Sequence, residues 1–156
     1  MNLHLVISNG LDIDVVPGSI DVAYSNQVME HLHPDDIEPQ LMSIRRALVS
    51  RGKYICITPN ALTGPHDVSK FFDLVPKGFH LKEYRFVEIY EIFNRLGFSK
   101  IITVFAHGRL HLKAPIGLLV ILEAFIDRMP ERSRKSALQF KPLHFALNQI
   151  AVVAIK

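Results

Sequence analysis

The chain has 156 residues, 49% of them hydrophobic and 21% charged, with a formal net charge of +3 and a single cysteine. This is the composition of one globular domain with enough apolar residues for a real core, and it excludes a disordered tract or a disulfide framework. The opening residues do not read as a signal peptide, so a cytoplasmic protein is expected.

Charge is unevenly distributed: residues 1–75 hold 5 Lys/Arg against 9 Asp/Glu, and residues 76–156 hold 13 against 6. A solvated basic surface accounts for the second half without an anionic partner. In chain order, Leu3–Ser8 reads as a strand and Asn9-Gly10 as a tight turn, followed by a loop to the Pro17-Gly18 turn. Ile20–Tyr24 is a short apolar run that suits a strand buried on both faces of a parallel sheet. It stops at Ser25-Asn26-Gln27, three hydrogen-bonding side chains at the kind of strand end where open α/β sheets bind ligands.

Val28–Leu32 reads as a helical turn. Pro34-Asp35-Asp36 then opens a helix, with acids where the macrodipole favours them and Ile37, Leu41, Ile44 and Leu48 as its buried stripe. Gly52 breaks the pattern, and Tyr54–Thr58 reads as a second buried strand with Cys56 as a small core residue. The loop Pro59–Asp73 carries His66-Asp67 and the pair Phe71-Phe72, which either shape a substrate pocket or anchor the loop to the core. His80 precedes a helix whose apolar face is Phe86, Ile89, Phe93 and Leu96, closed by Gly97. A histidine there, with its near-neutral titration, suits a general base for a substrate hydroxyl.

Lys100–Phe105 is a strand by its β-branched content. A helical insertion follows at about residues 112–140. Its apolar stretch Pro115–Ile126 falls well short of the roughly 20 residues that span a bilayer, and reads as a lid helix buried over the substrate side. His107 and His111 are four apart, a metal-pair spacing on a helix, but no third ligand lies nearby and no metal is expected. Asn148–Ile155 closes the chain as a strand.

Several of these segments resemble one family. Asp21-Val22-Ala23-Tyr24-Ser25-Asn26-Gln27-Val28-Met29-Glu30-His31-Leu32 is similar to the fourth strand and following turn of class I S-adenosylmethionine-dependent methyltransferases. Gly52-Lys53-Tyr54-Ile55-Cys56-Ile57-Thr58-Pro59-Asn60 is similar to the fifth strand. Phe79-His80-Leu81-Lys82-Glu83-Tyr84, with the helix ending at Leu96-Gly97-Phe98, resembles the next segment of the small-molecule branch. The likeness runs over about residues 3–105. It departs at Ser50-Arg51-Gly52, where the family usually has Pro-Gly-Gly, and the chain contains no Gly-x-Gly-x-x-Gly.

The resemblance implies an α/β, partial Rossmann-like methyltransferase fold with a mostly parallel sheet and an antiparallel carboxyl-terminal strand. Residues 1–156 would form a single domain truncated at its amino terminus, without the Gly-rich cofactor loop. S-adenosylmethionine is the implied cofactor, held by Asn9, Gly10, Ser25, Asn26 and Gln27, with weak or absent binding expected for this chain alone. His80 is the implied catalytic base, and His66 and Tyr84 the substrate-binding residues. The acceptor is expected to be a small molecule, because Ser25-Asn26-Gln27-Val28 differs from the Asn/Asp-Pro-Pro-Tyr/Phe of the branch that methylates nucleic-acid bases. The alternative is a non-catalytic, methyltransferase-like remnant or partner subunit. In the family's strand order, three-two-one-four-five-seven-six, the absent strands one and two would leave Asp21–Asn26 with an open edge. Leu3–Ser8 is expected to slide into that edge, failing which a homodimer or a separate amino-terminal half would cover it.

Overall fold

The computed structural model describes residues 5–107 and 110–156. The elements run β1 (Ile20–Asn26), α1 (Ile37–Ala47), β2 (Leu48–Pro59), α2 (Phe86–Arg95), β3 (Lys100–His107), β4 (Leu110–Pro115), α3 (Ile116–Asp127), α4 (Glu131–Gln139), α5 (Lys141–Leu147) and β5 (Gln149–Ile155). The five strands form one sheet in the order β1-β2-β5-β3-β4.

Only β1 and β2 pair in parallel; the β2–β5, β3–β5 and β3–β4 ladders are antiparallel. The expectation of a mostly parallel sheet is therefore corrected. β5 inserts between β2 and β3, so one would-be parallel pairing becomes two antiparallel ladders. β4 folds back on β3 as a hairpin and adds a third. With β1, β2, β3 and β5 taken as the family's fourth to seventh strands, the observed sequence of neighbours is the implied four-five-seven-six.

The sheet has one fully covered face. Tyr54, Cys56, Ile150, Val152 and Ala154 point into a core shared with Ile37, Leu41 and Ile44 of α1 and Ile89 and Phe93 of α2. Tyr54 stacks against Phe93 and Phe98 at ring-centroid distances of 5.8 and 6.4 Å. Each large apolar side chain buried this way contributes about 1.5–3 kcal/mol. Leu48 caps the end of α1 and begins β2, so it joins the core from a strand instead of extending the helix stripe. On the opposite face Ile55, Ile57, Val104, Ala151 and Val153 line an open apolar cavity of about 290 Å³. Val22 and Tyr24, on the same side of β1, are 51% and 61% exposed. A strand buried on both faces was the wrong expectation for β1, because the side of β1 that carries Val22 and Tyr24 is left exposed.

Nor does the amino-terminal segment fill the open edge of β1. Residues 5–8 form no strand and are exposed, while Leu3 and His4 lie outside the described residues. The segment binds along α1 instead: Gln40 Nε2 donates to the Gly10 carbonyl, the Ile13 N–H to Ser43 Oγ, and the Gly18 N–H to the Arg46 carbonyl. Once those donors and acceptors are held by the helix, the chain no longer lies beside β1.

The insertion begins at β4 and comprises a strand and three helices. His111 pairs opposite Ala106 across the β3–β4 hairpin, so His107 and His111 lie on facing strands and not on one helix. α3 is not buried all round. Ile116, Leu119, Glu123 and Ile126 face inward, and Leu118, Ile121 and Phe125 face solvent. Among the described residues no helix is long and apolar enough to cross a membrane.

Candidate functional site at the strand ends

β1 and β2 end side by side, and the chain leaves β1 through Gln27, whose φ of 54° turns it sharply into a 3₁₀ turn over Met29–His31. That turn places Glu30 in the interior, with no exposed surface, and His31 at the surface. Glu30 is anchored at both ends. Its Oε2 accepts from Thr58 Oγ1 of β2 at 2.9 Å, and its carbonyl accepts from the Leu81 N–H at 2.8 Å and the Lys82 N–H at 3.3 Å. Those last two bonds bring His80 alongside, with its ring 5.0 Å from that of His31 in an edge-on arrangement.

His80 is held from two directions. Its Nδ1 lies 2.7 Å from Glu83 Oε1, and its backbone N–H donates to Asp67 Oδ2 at 3.3 Å. Asp67 also accepts from the N–H groups of Ser69, Gly78 and Phe79 at 2.8–2.9 Å. Desolvation works to raise its pKa, but the donors of Ser69, His80 and Phe79 outweigh it and hold the carboxyl well below its usual range. Gly78 has a specific reason to be glycine: a Cβ there would approach Asp67 Oδ2 to 2.7 Å. Glu83, also buried, accepts from the His66 N–H at 2.6 Å, so one carboxylate positions both histidines. Gly64 packs so closely against this carboxylate that a Cβ would collide with Glu83 Oε2.

These groups border a cavity of about 430 Å³ lined by His31, His66, Asp67, Val68, Lys70, Phe71, Phe79 and His80. Of the residues predicted from sequence, His80 and His66 therefore meet in one cavity. Tyr84 is not part of its lining: it is 1% exposed, with Lys82 Nζ 4.9 Å over its ring, and burial followed by Glu88 pushes its hydroxyl up to about 12. Phe71 and Phe72 are 80% and 69% exposed, so they do not anchor the loop in the core; Phe71 forms a wall of the cavity instead.

The predicted cofactor residues are not gathered in one place. Ser25 Oγ shares a 2.7 Å hydrogen bond with the Tyr54 hydroxyl. Asn26 and Gln27 are exposed, and the Gln27 N–H donates to the Ile57 carbonyl. Asn9 closes its own turn, its Oδ1 accepting from the N–H groups of Leu11 and Asp12, and Gly10 takes a φ of 83° there. Sequence reasoning assigned no role to Glu30 or Glu83. The signal for Glu83 was its spacing of three from His80; that for Glu30 was a lone acid inside an apolar turn.

A second buried network lies at the end of β2. Asn60 Nδ2 donates to Glu123 Oε1 at 3.0 Å, and Arg85 reaches the same oxygen with Nε at 3.4 Å and Asp127 Oδ2 with Nη2 at 2.6 Å. Burial raises the Glu123 pKa, opposed by Arg85 and Asn60. This network ties α3 to β2 and α2.

No family model and no curated protein matches the sequence. Solved structures do match the fold. A SAM-dependent methyltransferase from Archaeoglobus fulgidus superposes with a TM-score of 0.62 at 14% identity, over 97% of this chain and 66% of its own. A SAM-dependent methyltransferase from Thermotoga maritima gives 0.57 at 13% identity, over 96% and 62%. The Haemonchus contortus phosphoethanolamine N-methyltransferase 2, in complex with phosphomonomethylethanolamine and S-adenosylhomocysteine, gives 0.50 at 18%, over 95% and 36%. The fold is methyltransferase-like across nearly the whole chain, which spans less than two thirds of the length of these structures.

Proposed function

We propose that this chain carries the acceptor side of an S-adenosylmethionine-dependent methyltransferase for small molecules. The observation that carries the reading is the buried Glu83–His80 pair opening on a cavity at the carboxyl ends of β1 and β2. When bound, the cofactor supplies a sulfonium methyl group whose C–S electrons return to sulfur as the acceptor attacks. Asn26 and Gln27, exposed at the strand end with no side-chain hydrogen bond among the described residues, are free to hold polar groups of the cofactor. Asn9 and Ser25 fit that role less well, since their polar atoms are engaged within the chain. His80, with Nδ1 directed at the Glu83 carboxylate, keeps Nε2 for the acceptor's hydroxyl proton, and Glu83 stabilises the imidazolium that results. His66 lines the same cavity and orients the acceptor.

The test is an amide NMR titration with S-adenosylhomocysteine. Weak binding that shifts Asn26 and Gln27 supports the reading; no shift at millimolar ligand, or shifts that spare both residues, overturns it. His80→Ala also strips Glu83 of a partner, so it is expected to lower stability as well as turnover. His80→Asn, which keeps a donor for Glu83, isolates the proton-transfer role.

The open β1 edge favours a second reading, that of a partner subunit. There Val22 and Tyr24 flank an unpaired row of backbone groups, and another chain, either a second copy or a separate amino-terminal half, adds as a strand.

A further inference from the structure

Glu30, His31 and His80 each offer one ligand-type atom, and these atoms all lie within 4.8 Å of one another. Three features of the surroundings suit a cation. Glu30 is fully buried, and while its Oε2 is bound by Thr58, its Oε1 has no partner among the described residues. Among the described residues no Lys or Arg forms an ion pair with it. A buried carboxylate without a counter-charge is expensive, and a bound cation removes that cost.

The histidines are arranged as metal ligands usually are. A metal-bound imidazole commonly donates its other N–H to a carboxylate or a backbone carbonyl, which fixes the tautomer and orients the ring. Here His80 Nδ1 faces Glu83 Oε1 at 2.7 Å, and His31 Nδ1 faces the Phe79 carbonyl at 2.9 Å. Carboxylates and carbonyls accept, so both Nδ1 atoms carry the proton and both Nε2 atoms keep a lone pair.

We propose that Glu30, His31 and His80 form a binding site for a divalent first-row transition-metal ion at the wall of the strand-end cavity. Two imidazoles and one carboxylate favour zinc, iron, cobalt or manganese over magnesium, which prefers an all-oxygen shell. Three protein ligands leave at least one position open, as in catalytic and not structural sites. A tetrahedral ion with bonds of about 2.0–2.1 Å holds its ligand atoms about 3.4 Å apart, so atoms within 4.8 Å of one another close by up to about 1.4 Å on binding. The surface residue His31 is the ligand with room to move.

In its use the proposal rests on the methyl-transfer reading: with the ion bound, His80 acts through it. His80 would then hold the ion with Nε2 and not take the proton itself; the ion would supply Lewis acidity to an acceptor hydroxyl in the cavity, whose proton would pass to solvent.

The test needs neither cofactor nor acceptor, so its failure leaves the methyl-transfer reading standing, and the reverse also holds. Chelator-treated protein is titrated with Zn²⁺ by calorimetry, with Mg²⁺ as the competing arm. One equivalent of Zn²⁺ is expected to bind, undisturbed by millimolar Mg²⁺. Glu30→Gln and His31→Ala should each weaken binding at least tenfold, and Glu83→Gln, a positioning change, roughly 10–100-fold. His33→Ala, outside the cluster, should leave it unchanged. Thermal melts without metal confirm that each variant folds. Should Glu30→Gln fail to fold, His31→Ala still decides, since its side chain is at the surface. Co²⁺ loading of the unaltered protein gives a second readout, visible d–d absorption bleached by Zn²⁺. No Zn²⁺ binding, binding displaced by Mg²⁺, or equal binding in all variants overturns the proposal.

Discussion

Glu30 and Glu123 are both buried acids with one oxygen that finds no partner among the described residues, yet their surroundings differ in kind. Glu123 sits between Asn60 and the guanidinium of Arg85, which itself continues to Asp127. Arg85 and Asn60 oppose the burial of its charge without cancelling it, and what it does is hold α3 against β2 and α2. Glu30 has a single neutral donor, Thr58, and faces two imidazoles. No described Lys or Arg pairs with it, and in the proposed site a bound cation would compensate its charge. Two acids with the same degree of burial can therefore be a strap and a site, and the neighbouring cation decides which.

Breaking the strap has the largest expected consequence. Glu123→Ala removes one partner of a buried ion pair and leaves Arg85 and Asn60 short of an acceptor, which costs about 3 kcal/mol. Urea unfolding should show that loss while Zn²⁺ affinity stays unchanged. A simultaneous fall in metal binding would show that the two networks are coupled and the contrast false.

Thr58→Val probes the other acid at almost constant shape. It strips Glu30 of its only side-chain donor among the described residues and should lower stability by about 1–3 kcal/mol, the cost of a buried polar group left unpaired. Here the loss should shrink when Zn²⁺ is added, because a ligand of the folded state alone stabilises it by mass action. For Glu123→Ala no such rescue is expected. Equal responses of the two variants to Zn²⁺ would erase the distinction between strap and site.

Acidity separates the strap from the loop that carries the cavity, with opposite signs. Asp67 is held below its ordinary value of 3.8, so the stability it contributes is present above that pH and is lost as pH falls below it. Glu123 is raised above 4.5, so the folded state binds its proton more tightly and stability declines as pH rises from 4.5 through the folded value. Thermal midpoints against pH should lose their acid-side fall in Asp67→Asn and their decline above pH 4.5 in Glu123→Gln. A profile with the two slopes exchanged would refute both assignments.

The smallest stability effect belongs to the open edge. Val22→Lys is expected to change stability by no more than about 0.5 kcal/mol, since the side chain is half exposed. It should nonetheless reduce association measured by sedimentation velocity, because a charge on an edge strand opposes added strands. Association that is unaltered by the substitution would remove β1 as the docking edge.

Much of this was legible along the chain. Ile37, Leu41 and Ile44 recur at helical spacing and are buried in α1; Phe86, Ile89 and Phe93 do the same in α2, and Gly97 ends that helix with a φ of 80°. Periodicity and breakers are local, so local sequence suffices for them. The polar strand end at Ser25–Gln27 and the loop histidines His66 and His80 could be picked out for the same reason. Leu48 was misjudged because the helix stripe and the first residue of a buried strand look alike when only apolar spacing is read.

What the sequence by itself determined, then, is the helices and strands from β1 to β3, the closing strand β5, and the polar end of β1. Tertiary structure decided the rest. It folded β4 back on β3 and left β1–β2 as the one parallel ladder of the sheet, so that antiparallel pairing predominates, since pairing partners are chosen by long-range ladders that no window of sequence contains. It left β1 at an open edge because the hydrogen bonds of the amino-terminal segment went to α1. It also brought Glu30 and His31 to His80, some fifty residues away, through two backbone bonds from Leu81 and Lys82 to the Glu30 carbonyl. Backbone donors and acceptors are the same at every residue, so side-chain identity gives no hint of where such bonds will close, and only the folded chain shows it.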